Sequence, residues 1–390
     1  MGNLGMGNSF TGEISRFCGR TAVALAASFC QNTPINPKLL TRKLVTQSSK
    51  LYYEGRREVN NMADNLTILV GTVGQGIIRS GDNGENWRRV GINAGLHSDA
   101  LVRCITNHPH RPEQVFIGTE KGLYQSQDAG LNWQLVDSAL SDYCVWSLAI
   151  DPTDTSIMFA GTGTPDPATI FRSTDRGTTW EKRPVEVAAE CPAVGVPRVT
   201  GIAIDPENHN DIWVGFEVDG VRHSTDGGDT WQKLNGDIPN PDVHNVAVAS
   251  GPPKTVVVVV NDDVYTSDDG GARWRSVGVR QNFPLTYPRG ILVQPGNPQT
   301  IFLTLGDTTP GRTGAIMRSR DTGKTWERLT LPVQPNTAMW VINSQPADPN
   351  TLIAGSRYGY LYRSDDGGDT WAKLWREVSE ISSILWIANQ

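Results

Sequence analysis

The chain has 390 residues, 40 of them Gly, 24 Pro and 12 Trp, with only 19% charged. That composition points to many short strands and tight turns. The net charge of −6 is uneven: residues 1–61 carry eight Lys/Arg and three Asp/Glu, and residues 62–390 carry 27 and 38. An acidic main body is unsuited to nucleic acid or an anionic membrane, which need a basic stripe. The apolar runs fall short of the roughly 18–20 residues a membrane span needs.

Residues 1–61 read as an extension outside the fold, disordered or not native. Their one apolar stretch, residues 21–29 (TAVALAASF), follows Arg16 and Arg20 but is short and late for a secretion signal. Met62 stands just before the first expected strand. Translation starting there would place the protein in the cytoplasm. Cys18, Cys30, Cys104, Cys144 and Cys191 are odd in number and widely spaced, without a CxxC pair. They read as free thiols in a reducing compartment, and neither metal nor cofactor is expected.

From residue 62 onward one pattern recurs seven times: Ser, any, Asp, any, Gly, any, any, Trp. The copies are 80–87 (SGDNGENW), 126–133 (SQDAGLNW), 173–180 (STDRGTTW), 224–231 (STDGGDTW), 267–274 (SDDGGARW), 319–326 (SRDTGKTW) and 364–371 (SDDGGDTW). They are spaced by 46, 47, 51, 43, 52 and 45 residues. Each interval holds four short strands and their turns, one blade of a propeller. In each copy Ser and Asp can bond backbone groups across a hairpin turn, Gly supplies a positive φ, and Trp packs between blades. These aspartates are therefore structural.

The expected fold is all-β, a seven-bladed β-propeller with these turns, over residues 62–390. After each Trp strand comes an apolar strand ending at a Pro turn, as in 145–152 (VWSLAIDP) and 199–206 (VTGIAIDP). This is the innermost strand. The chain ends on such a strand, 381–387 (ISSILWI), and the folded part begins on a second strand, 66–71 (LTILVG). The two should complete one blade and close the ring. A monomer is expected.

The repeat is the Asp-box, or BNR, motif, and residues 64–390 resemble that superfamily. Its members include sialidases, xyloglucan-active glycosidases, sortilin-type receptors and photosystem II assembly factors. The resemblance implies the fold and leaves the activity open.

Aligning the inner strands on their Pro turns brings one position from each to the channel mouth: Arg103, Trp146, Thr200, His244, Arg289, Trp340 and Ser382. Arg198 lies two residues before Thr200. Converging guanidinium groups call for an anion between them, and Trp offers flat apolar walls. The expectation is a pocket for a small anionic or sugar-like molecule. The competing expectation is a plug, with the arginines paired to loop acids.

Candidate acids are Asp99 and Asp142, four residues before their ring positions, Asp242 and Glu380, two before theirs, and Glu190, Asp166 and Asp307 in loops. A glycosidase would use two carboxylates about 5–10 Å apart. A hydrolase or lyase could use His244 as general base, with Arg289 and Arg103 stabilising negative charge, and Asp142 or Glu190 as acids. Trp146, Arg198, Thr200, Trp340, Ser382 and Asp99 would then bind the ligand. Three arginines are similar to the carboxylate clamp of sialidases, but the Arg-Ile-Pro signature and a placeable Tyr nucleophile are missing. A non-catalytic assembly module with a protein partner, similar to the photosystem II factors, is the alternative.

Overall fold

The structure is a computed structural model that describes residues 65–389, Ala193 excepted. The expectations for residues 1–61, the start at Met62, Cys18 and Cys30 lie outside the described residues. Among those described, Cys104, Cys144 and Cys191 are free thiols, and no helix is long and apolar enough to cross a membrane.

Seven four-stranded antiparallel sheets form a seven-bladed β-propeller. Six blades follow chain order, from Cys104–His108 as the inner strand of the second blade to Ala372–Lys373 as the outer strand of the seventh. The first blade is composite. Its inner strand, Ile381–Ala388, pairs with Leu66–Thr72, in register from Leu66 opposite Ala388 to Thr72 opposite Ile381. Ile77–Ser80 and Arg88–Val90 complete it. This ladder joins the ends of the described chain and leaves no open seam in the ring.

Each turn motif is a small hydrogen-bonded cage. In the fourth blade Ser224 Oγ donates to Asp226 Oδ1 at 2.8 Å and accepts from the Gly228 amide at 2.8 Å. The same carboxylate accepts from the Thr230 amide (2.9 Å) and hydroxyl (2.6 Å). Trp231 Nε1 donates back to Gly228 O at 3.1 Å. Trp274 alone among the seven box tryptophans departs, donating instead to Leu234 O of the preceding blade. Bonds to the Thr179 amide and hydroxyl hold the Asp175 carboxyl down at about 2, as bonds to Thr230 hold Asp226 at about 2. Those acids are committed to the turns.

The core lies between blades. One buried cluster joins Leu69, Ile77 and Val90 of the first blade to Val115, Ile117 and Tyr124 of the second. Another joins Ile353 and Leu361 of the seventh to Ile68, Ile384 and Trp386 of the first. Close approach between blades needs glycine, as at Gly118. A Cβ on Gly118 would stand 2.5 Å from Val145 O, on the inner strand of the next blade.

The inner strands share an irregularity. The ladder steps from Val145 to Ser147, from Val199 to Gly201, from Val243 to Asn245 and from Met339 to Val341, skipping Trp146, Thr200, His244 and Trp340. Ser382 is skipped likewise, and Arg289 with Gly290 faces the single residue Thr304. Arg103 sits just ahead of its ladder, its amide bonded to Gly118 O at 2.8 Å. Each bulge frees one side chain from the pleat and re-aims it. Those six freed side chains, with Arg103, are the seven of the ring.

Deleting residues 381–390 removes Ile381, Ile384, Leu385, Trp386 and Ile387, all buried. Their burial contributes on the order of 10 kcal/mol, comparable to a whole domain's stability. The truncated chain should fail to give a cooperative thermal transition by circular dichroism, and an unchanged melting temperature would contradict the closure. Acid should also act on the turns. The folded protein binds protons at these carboxylates less readily than the unfolded chain, so the stability they supply is present above about pH 4. It should disappear as pH falls toward 2, seen as a melting temperature that drops steeply across that window.

Candidate functional site

The bulged residues converge on a cavity of about 700 Å³ at one end of the channel. Arg103, Trp146, Arg198, Thr200, His244, Arg289, Trp340 and Ser382 all line it. Among the further lining residues that the ring alignment did not include are Glu217, Arg357 and Tyr287.

Glu217 and Arg357 arise from a second set of equivalent positions. Each directly follows the second strand of its blade, after Asn208–Phe216 and Asp348–Ser356. The sequence carries the mark of this set. Gly118-Thr119-Glu120, Gly215-Phe216-Glu217 and Gly355-Ser356-Arg357 repeat one spacing from the strand's glycine.

The four arginines are not alike. Arg198 forms an ion pair with Glu217 at 2.7 Å. Arg357 pairs with Glu380 and donates from a second nitrogen to Ile381 O at 3.0 Å. Arg103 and Arg289 form no ion pair among the described residues, and Arg103 Nε is buried without a hydrogen-bond partner. All four stack on tryptophan. The guanidinium carbons of Arg103 and Arg198 lie 4.2 and 4.9 Å from the Trp146 ring centroid, and those of Arg289 and Arg357 lie 4.2 and 4.3 Å from Trp340. The indoles thus serve arginine, through cation–π attraction, where flat walls for a sugar were expected. Trp146 is fixed by its Nε1 donating to Thr164 O at 3.1 Å.

The acids divide. Burial pushes the Glu217 carboxyl up, against the pull of Arg198 and Arg289. Burial also raises Asp242, against Arg289 and Arg198. Asp99, Asp142 and Glu190 are exposed and do not line the cavity. Asp166 accepts from the Cys144 amide at 2.6 Å, and Asp307 from the Arg312 amide at 2.9 Å. Both are occupied in shaping their loops.

His244 lies buried against Tyr287, ring centroids 5.1 Å apart. Its Nδ1 donates to Pro288 O at 2.8 Å. Burial, with Arg289 close by, pushes its pKa down to about 3. Its Nε2 stands 4.0 Å from Asp242 Oδ1, beyond a hydrogen bond. That setting suits a neutral wall of the cavity rather than a base working near pH 7. Thr200 also has a local duty, its hydroxyl donating to Val243 O of the neighbouring inner strand at 2.8 Å.

Elsewhere, a hollow of about 820 Å³ opens between the fifth and sixth blades, lined by Pro252, Phe283, Trp326 and a turn motif at Asp321–Lys324. Asp321 there is already engaged by its own turn. The polar groups that converge without partners are those of the channel.

Fold and repeat together define an Asp-box, or BNR, β-propeller, and the matches to known proteins support that superfamily. Two family models match parts of it. The one described as Sortilin, neurotensin receptor 3, matches residues 262–389, and that of the photosynthesis system II assembly factor YCF48 matches residues 148–283. A xyloglucanase of Hypocrea jecorina is 26% identical over 347 residues, 75% of this chain and 40% of its own length. A xyloglucanase of Acetivibrio thermocellus is 28% identical over 348 residues, 70% of this chain and again 40% of its own length. The chain therefore spans about 40% of the xyloglucanases it matches. Among solved structures, the GH74 xyloglucanase from Xanthomonas campestris superposes with a TM-score of 0.55 at 22% identity, over 70% of this chain and 45% of that one. YCF48 bound to D1 peptide gives 0.50 at 18% identity, over 70% and 81%. At such identities these likenesses speak for the fold.

The imidazole of His244 should remain the neutral Nδ1–H tautomer from pH 8 down to pH 5. Long-range ¹H–¹⁵N spectra of the histidine rings check this, and a titration midpoint above 5 for His244 would contradict the buried setting.

Proposed function

We propose that the channel mouth binds a small carboxylate-bearing molecule, sugar-like in size, through Arg103 and Arg289. The observation that carries this is the pair of guanidinium groups without an ion-pair partner in a cavity of about 700 Å³. Four arginines crowded at one mouth repel one another, and only two have a carboxylate of their own. An incoming anion relieves that repulsion and gains charge-assisted hydrogen bonds. Ser147, Ser382 and Ser383 add hydroxyls that are buried without partners and line the same cavity. They suit the polar middle of a hydroxylated ligand.

A glycosidase-like cleavage of such a ligand is the catalytic form of this reading. It draws on the xyloglucanase relatives and on Glu217, whose carboxyl is pushed by burial above the ordinary carboxylate range and which lines the cavity. Glu217 would be the proton donor, in place of Asp142 and Glu190. The alternative, a peptide-binding assembly module, draws on the likeness to YCF48. Its partner would present a carboxylate to the same arginines.

The test is thermal stabilisation of the full chain by carboxylated sugars, neutral xyloglucan oligosaccharides and short peptides with free or amidated C-termini. A ligand at 100 times its Kd adds about 2.7 kcal/mol of stability. Carboxylated ligands should raise the melting temperature, and Arg103→Gln and Arg289→Gln should each weaken the effect. Stabilisation by neutral oligosaccharides alone, unchanged in both variants, would overturn the anion reading.

A further inference from the structure

The cavity is built twice. On one side Arg103 stacks on Trp146, which also carries Arg198, which pairs with Glu217. On the other Arg289 stacks on Trp340, which also carries Arg357, which pairs with Glu380. The order is the same in both: an arginine without an acid, a tryptophan on the following blade, a second arginine, a glutamate that neutralises it. In both, the leading guanidinium carbon is 4.2 Å from its indole.

The two sets face each other. The inner strands follow one another around the channel in blade order, and the seventh meets the first, which meets the second. Arg103 belongs to the second blade and Arg289 to the sixth. Going through the seventh and first blades they are three steps apart, the widest separation a ring of seven allows. Glu217 and Glu380 pair with Arg198 and Arg357, whereas Arg103 and Arg289, with no ion pair among the described residues, enter the cavity from blades three steps apart.

We infer that the channel ligand is dianionic, with an anionic group at each of two ends, one held by Arg103 and the other by Arg289. The inference rests on the anion-binding reading and narrows it to a ligand class: a dicarboxylate, or a molecule pairing a carboxylate with a phosphate. Each end would meet a guanidinium already oriented by its indole, so little side-chain freedom is lost on binding. The buried hydroxyls of Ser147, Ser382 and Ser383 line the space between. Within one ligand the second contact is intramolecular, and affinity depends on whether the spacing fits.

The experiment is isothermal titration of the full chain with linear α,ω-dicarboxylates from succinate to suberate, each beside its monomethyl ester. A carboxylate–phosphate probe, 3-phosphoglycerate, completes the series. One chain length, or the mixed probe, should bind at least tenfold tighter than the monoester of similar length. Arg103→Gln and Arg289→Gln should each reduce the dianion to the monoester's affinity, with melting temperatures close to the parent's. Monoesters that bind as tightly as every dianion would overturn this inference and leave the anion pocket standing. Absence of binding by any probe, mono- or dianionic, would overturn both.

Discussion

The ladder between Leu66–Thr72 and Ile381–Ala388 is what the rest depends on. A ring of blades holds its inner strands at a fixed radius only while it is closed. That radius brings side chains from seven strands within reach of one cavity. The closure is also part of the site. Glu380 immediately precedes the closing strand and pairs with Arg357, which donates to Ile381 O. Loosening the seam would release a guanidinium that stacks on Trp340. Fold closure and charge placement share the same few atoms.

Within that frame the electrostatics are divided between two kinds of partner. Indole faces hold arginines in place without neutralising them, because a ring quadrupole attracts a cation yet carries no net charge. Glutamates neutralise. Arg198 and Arg357 have both partners, whereas Arg103 and Arg289 have the first alone. The site thus combines rigid positioning with residual positive charge, which a wholly ion-paired plug would lack. The buried, neutral His244 between these groups adds shape without adding charge.

The propeller was legible because its signature is local. Ser, Asp, Gly and Trp within eight residues specify a turn whose bonds all fall inside it, as Ser224, Asp226, Gly228 and Trp231 show. The ring was legible because a Pro lies six residues beyond Arg103, Trp146, Thr200, Arg289 and Trp340, which fixes the position in the other two inner strands by analogy. Glu217 and Arg357 were missed although their positions repeat just as regularly, since attention to the inner strand hides the residue that follows the second. The loop acids misled for a different reason. Distance along the chain from a ring position says nothing of direction, and Asp99, Asp142 and Glu190 turn to solvent. The stacking on Trp146 and Trp340 could not be read at all, because it joins residues by contact rather than by spacing, mostly across different blades.

The bulges carry a consequence for how such a protein changes over time. A residue skipped by the ladder takes no part in strand register, and its contacts with neighbouring blades, such as His244 to Pro288 O and Trp146 to Arg103, are made by the side chain alone. Trp146, His244 or Trp340 can be exchanged without disturbing the pairing of Val145, Val243 or Met339 beside them. Seven positions are therefore open to selection for chemistry while their neighbours stay under selection for structure. Lineages sharing this scaffold can drift apart in what the channel recognises while the ladder beside each bulge keeps its register.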